Sequence, residues 1–341
     1  VEQIENVGIA ETKPSKKRRL KRHCARWWCC YCIGNVIFLA IFLPLFFLYV
    51  IPAVAQLMVE NADLPIHAVT IMQPTPDSVV LSLRASLKIP KPFKVRLEPF
   101  TLTLFRAETK PNIIPYVNFD FPETWVQGNT TIEITNQKVA IANRDEFTEF
   151  LRAAVEGQTF KLAARGETTA HMGALKAKVT LDKEVEMGGL RKLDGFKINS
   201  ATLLLSPEED GTTLLANVTI PNHSIVEFEL GNQTLNLNGP NNIIIGNATI
   251  QNVSVRRGNN TFAARGFLDL KTTLQNFNSI LAFTAPALAQ GNLMLGASGN
   301  QTVYNGQHIS YYEDILNNLH LTGQVSIIQL LVDSFTHLMS G

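Results

Sequence analysis

The chain is predicted to be mainly β: an N-terminal transmembrane helix followed by two tandem antiparallel β-sandwich domains, each with an inserted helix. Three observations carry this. An uncharged apolar run stands near the start, period-2 alternation dominates after residue 65, and two stretches of helical spacing interrupt it at matching places.

From Ile33 to Ile51 the chain has 19 residues without a charge. At ~1.5 Å per residue they span ~28 Å, close to a ~30 Å hydrocarbon core. The span is assigned to residues 33–55, with a kink expected at Pro44. Lys16, Lys17, Arg18, Arg19, Lys21, Arg22 and Arg26 precede it, with Trp27, Trp28 and Tyr31 at its edge, so the positive-inside rule leaves residues 1–32 as a cytosolic tail. Ala53-Val54-Ala55 also fits a signal-peptidase site. The apolar stretch is longer than a signal h-region and follows too long a leader, which favours an uncleaved anchor.

The net charge of +1 averages unlike regions: eight Lys/Arg against three acids in residues 1–32, and 22 against 26 afterwards. A slightly acidic bulk without a basic stripe excludes nucleic acid as the main partner. The seven cations between Lys16 and Arg26 should instead attract anionic cytosolic lipid, at ~1 kcal/mol each. Cys24, Cys29, Cys30 and Cys32 all lie in the tail, so the rest of the chain holds no intrachain disulfide. Adjacent thiols fit a shared zinc tetrahedron poorly. Their juxtamembrane place suits palmitoylation, with free thiols the plain alternative.

Asn-x-Ser/Thr occurs at Asn129, Asn217, Asn222, Asn232, Asn247, Asn252, Asn259 and Asn300, all after the apolar run. Composition alone gives roughly three or four such sites. The excess predicts N-glycosylation in a lumen or outside the cell, and hence a type II orientation. Asn247 and Asn252, five apart, would face opposite sides of a straight strand, so a bulge or turn between them is expected, or an unmodified site.

Strands are read at Val79–Ile89, Val95–Phe105, Thr131–Ile141, Phe160–Ala164, Leu214–Ile220, Val226–Leu230 and Leu235–Asn238. The first helix carries Phe147, Phe150, Leu151, Ala154 and Val155 on one face, with Asn143 as cap. The second carries Leu274, Phe277, Ile280, Leu281 and Leu288. Ile89-Pro90 is matched by Ile220-Pro221, and Ala163–Gly166 by Leu295–Gly299, in the same order. Domains of 60–189 and 190–341 follow, divided near Met187-Gly188-Gly189-Leu190. A final amphipathic helix with Ile327, Ile328, Leu331, Val332, Phe335, Leu338 and Met339 is expected to pack on the second domain, a membrane-surface or partner helix being the alternative.

This order of Cys-rich basic tail, single span and paired β units with inserted helices resembles fungal single-pass membrane proteins built from a repeated domain of unknown function. Those domains are similar to late-embryogenesis-abundant type 2 folds. The resemblance covers roughly residues 60–325. It implies a seven-stranded immunoglobulin-like sandwich, a vacuolar or cell-surface membrane, and no catalytic residues.

No phosphate-binding, zincin or nucleophile-elbow motif is present, and the seven histidines are dispersed. Glu208-Glu209-Asp210 reads as an acidic hairpin tip, with calcium binding the sharper alternative. No catalytic, cofactor or metal residues are therefore expected. The expected function is a non-enzymatic adaptor or scaffold on a membrane, vacuolar in preference to plasma membrane. Lipid binding or handling is the alternative. Because the first domain carries only Asn129, a protein partner is expected to approach there.

Overall fold

The computed structural model describes residues 16–62, 64–89, 94–173 and 175–340. The chain forms two compact units, dividing after Ala55. In the first, helix α1 (Lys16–Leu45) passes through a π-helical turn, Phe46–Val50, into α2 (Ile51–Glu60). The stretch Tyr31–Glu60 is one helix long and apolar enough to cross a membrane. Pro44 cannot donate the usual backbone bond, and where a kink is expected the helix widens into the π turn.

The second unit begins at Gln56. Its first half holds β1 (Ile66–Met72), β2 (Ser78–Lys88), β3 (Lys94–Leu97), β4 (Phe100–Phe105), β5 (Pro115–Phe121), β6 (Thr124–Gln127), β7 (Asn129–Ala140), α3 (Arg144–Glu156), β8 (Thr159–Met172) and β9 (Leu175–Gly188). Its second half holds β10 (Lys197–Leu203), β11 (Leu214–Asn222), β12 (Val226–Asn238), β13 (Ile244–Val255), β14 (Gly258–Leu268), α4 (Leu270–Gln275), α5 (Phe277–Leu288), β15 (Asn292–Tyr304), β16 (Gln307–His308), α6 (Ser310–Leu316), β17 (His320–Ser326) and α7 (Ile327–Ser340).

Strand pairing is alike in the two halves except that β13 also pairs with β14, which joins the second half's ladders into one sheet, while β3, β4, β5, β6, β8 and β9 form a sheet of their own. In the first, β2 lies between β1 and β7, while β8 carries β9 on one side and β3 and β4 on the other, which in turn pair with β6 and β5. In the second, β11 lies between β10 and β14, while β15 carries β17 and β12, and β12 pairs with β13. Each inserted helix leaves the end strand of the three-stranded ladder and enters the long strand β8 or β15.

The larger sheet is mixed, because β1 pairs with β12 in parallel, Val69 to Ile71 beside Val226 to Phe228. That pairing carries one sheet across both halves. The expected division near Gly189 is a tight joint: Leu190 N–H donates to Ala154 O at 2.8 Å, and a Cβ on Gly189 would sit 2.3 Å from Gly157 O. Ile71, Phe147, Val226, Phe228 and Tyr311 belong to one buried cluster, so the halves share a core.

Helix α3 forms where its spacing predicts. Asn143 Oδ1 accepts from Glu146 N–H at 3.0 Å, and Phe147, Phe150, Leu151, Ala154 and Val155 are buried. The other two apolar helices depart from expectation. Leu274 of α4 and Phe277 and Leu281 of α5 face solvent, because α5 packs through Ile280, the one of these expected residues turned to the core, with Thr284 and Ala287, an i, i+4, i+7 stripe. Helix α7 is held through Leu330 and Ser334, whose Oγ accepts from Leu203 N–H at 2.9 Å. Its expected packing face, Ile328, Leu331, Val332, Phe335, Leu338 and Met339, points outward.

Candidate interaction surface

Seven of the eight sequon asparagines are exposed: Asn129, Asn217, Asn232, Asn247, Asn252, Asn259 and Asn300. Between Asn247 and Asn252 the strand bulges. Gly231 pairs with Val253 and Gln233 with Ile250, so Gln251 and Asn252 oppose the single residue Asn232. Asn252 takes φ 52, a left-handed conformation that asparagine tolerates better than most residues. Asn222 is the exception at 2% exposure. Its Nδ2 donates to Val226 O at 2.8 Å and Val255 O at 3.3 Å, and its Oδ1 accepts from Ser224 N–H at 2.7 Å. An amide committed on both sides has no room for a glycan on the folded chain.

In the tail, Cys32 is free and exposed. The side chains of Cys24, Cys29 and Cys30, and of the cations Lys16 to Arg26, lie outside the described residues. The acidic turn is neutralised from within: Arg265 donates to Glu208 and, at 3.2 Å, to Asp210. Hydrogen bonds from Thr212, then from Arg265, hold the Asp210 carboxyl below its usual range. Among the described residues no group of three His, Cys, Asp or Glu is placed to hold a metal.

Two cavities lie inside the halves, about 60 Å³ and 80 Å³, lined mainly by aliphatic residues. Each meets one tyrosine, Tyr312 or Tyr116, whose buried hydroxyl has no partner among the described residues. Burial raises both phenol pKa values, as it does for Tyr311.

The second half presents the apolar surface. Along α4 and α5, Leu270, Leu274, Phe277 and Leu281 form one exposed stripe, and α7 adds a second. The stripes flank one small core, since Ile280 of α5 and Leu330 of α7 both pack on the cluster of Ala201, Leu214, Leu237, Ile245, Ala248 and Val325. Ile327 N–H donates to Gly291 O at 3.0 Å and ties the start of α7 to the turn after α5. The charged residues on these helices are Lys271 and Asp333, with His337 titratable.

Sequence reasoning missed α6. Its Tyr311 is fully buried against Phe147 of α3, ring centroids 5.3 Å apart and edge-on, and donates from Oη to Thr75 O at 3.1 Å. The spacing of Ile309, Tyr312, Ile315, Leu316 and Leu319 was the available signal.

No curated protein matches this chain. Two solved structures are similar to it. The solution structure of AT1g01470 from Arabidopsis thaliana covers 38% of this chain and 83% of its own at 12% identity and a TM-score of 0.23. The crystal structure of CBD12 from CALX1.2 covers 77% and 99% at 9% identity and a TM-score of 0.20. Residues 114–237, from β5 into β12 and so across the joint between the halves, match the family described as Protein of unknown function (DUF3712).

Proposed function

We propose that this protein is a single-pass, type II membrane scaffold whose glycosylated tandem β-sandwich ectodomain acts by binding another protein. The observation that carries this is the uncovered, charge-poor apolar face of α4, α5 and α7, far larger than the scattered apolar side chains of an ordinary surface. Sequence reasoning placed the partner on the first half; the exposed stripes favour the second. No sequon falls between Asn259 and Asn300 or after Asn300, so neither helix carries a glycan attachment point. The repeated strand scheme supports duplication, and the resemblance supports a vacuolar membrane.

The test uses the intact chain in its own membrane. Tagged wild type should recover a stoichiometric protein partner, and an L274E/F335E variant, glycosylated and inserted like wild type, should lose at least ten-fold of it. Equal recovery by the variant would refute the binding face. Orientation is read separately: glycosidase should shift the large fragment that survives protease on sealed membranes. Glycopeptide mapping should find Asn252 modified and Asn222 bare.

A further inference from the structure

We infer that the face formed by α4, α5 and α7 is covered by the same face of a second copy of this chain, an inference that rests on the binding role proposed above. Inside one chain the fold already shows how such a helix is closed off. Helix α3 is covered by α6 of the following half, with Tyr311 against Phe147. Helix α5 holds the same place between its strands, and among the described residues nothing covers Leu274 of α4 or Phe277 and Leu281 of α5, which are 71%, 53% and 45% exposed.

The chemistry of the face selects among occupants. Helices that lie on a bilayer carry Lys and Arg along their polar side, and here Lys271 is the single Lys or Arg in residues 270–288 and 327–340. That disfavours a lipid surface. Depletion of charge with Leu, Ile, Phe and Met dominant is the makeup of a permanent protein interface at its centre. A two-fold contact sets a surface against itself, and a face this poor in charge can do so without opposing like charges. Ten side chains at 45–88% exposure offer on the order of 1,000 Å² per copy, against ~800 Å² per partner in a standard interface. Copies anchored in one bilayer would also meet at raised effective concentration.

The chain permits a clean test, because every cysteine lies at or before Cys32. In a C24S/C29S/C30S/C32S background, single variants L274C, F277C, V332C and F335C are treated with a bismaleimide in native membranes, beside W125C as an exposed control on the first half. The expected result is a doubled mass from at least one of the four and none from W125C, with light scattering of the extracted wild type at twice the chain mass. L274E/F335E should return that mass to one chain; should this variant misfold, the cysteine variants still decide. Monomeric mass with no cross-link at any of the four positions overturns the second copy. If such a monomer loses a different protein partner in L274E/F335E, the binding role stands without self-association. If it loses nothing, both fall.

Discussion

Helices α3 and α5 occupy equivalent places in the two halves, each entering a long strand, yet they bury opposite kinds of residue; Asn143 caps α3 directly, whereas Asp269 caps α4, the short helix before α5. Helix α3 turns Phe147, Phe150 and Leu151 inward, because α6 and the joint at Gly189 close over it. Helix α5 turns small residues inward, Thr284 and Ala287 at 1% and 2% exposure, and leaves its large ones outside. The same position in a fold thus tolerates either polarity of helix, and what decides between them is whether a neighbour arrives to cover the far side.

If that is right, removing the cover should be the most damaging change. Tyr311→Ala empties a fully buried site between α3 and the turn before β2 and should cost about 3–5 kcal/mol in urea unfolding of the β-rich unit, in a single transition. Two separated transitions in the wild type would mean that the halves do not share a core. A direct contrast comes next: Phe147→Ala should cost about 3–5 kcal/mol, while Phe277→Ala, measured at high dilution, should cost about 0.5 kcal/mol or less. Similar costs at the two positions would remove the difference between the helices.

The caps supply a control in which the helices should agree. Asn143 and Asp269 accept from the third backbone N–H beyond them at 3.0 and 3.1 Å, so Asn143→Ala and Asp269→Ala should each cost about 1 kcal/mol. A cost confined to Asn143 would mean that α4 does not depend on its cap. The smallest effect concerns pH. Asp210 is depressed by Thr212 and Arg265, and Glu98 by its bond to His171. A lowered folded pKa contributes stability that is present above the unfolded value, about 4, and lost as pH falls through the folded one. These two carboxylates should therefore leave the thermal midpoint unchanged between pH 7 and 5, with their loss appearing only below about pH 4. A drop near pH 5 that Asp210→Asn or Glu98→Gln removes would contradict it.

Local pattern was legible wherever local pattern is the cause. Alternation located β2, β3, β4, β7, β8, β11 and β12, Asn143 capped α3 as its spacing required, and the spacing of Asn247 and Asn252 fits the bulge that Asn252 forms. What escaped depends on partners far along the chain. Asn222 reads as one more sequon, but the carbonyl of Val255 comes back to claim its amide. Periodicity puts Leu274, Phe277, Ile280 and Leu281 on one apolar face without saying that the core takes Ile280 together with Thr284 and Ala287 and leaves the other three outside. Nothing near Val69 announces that its parallel neighbour is Val226.

That last pairing sets a schedule for synthesis. Strand β1 can zip to β2 as soon as both emerge, but its other edge must wait for Val226, about 160 residues later, roughly 8–30 s at ordinary elongation rates. Throughout that interval Val69, whose N–H will finally donate to Ile225 O, borders an open strand edge of the kind that templates aggregation. Until the second half is made, that edge of the first half stays unpaired.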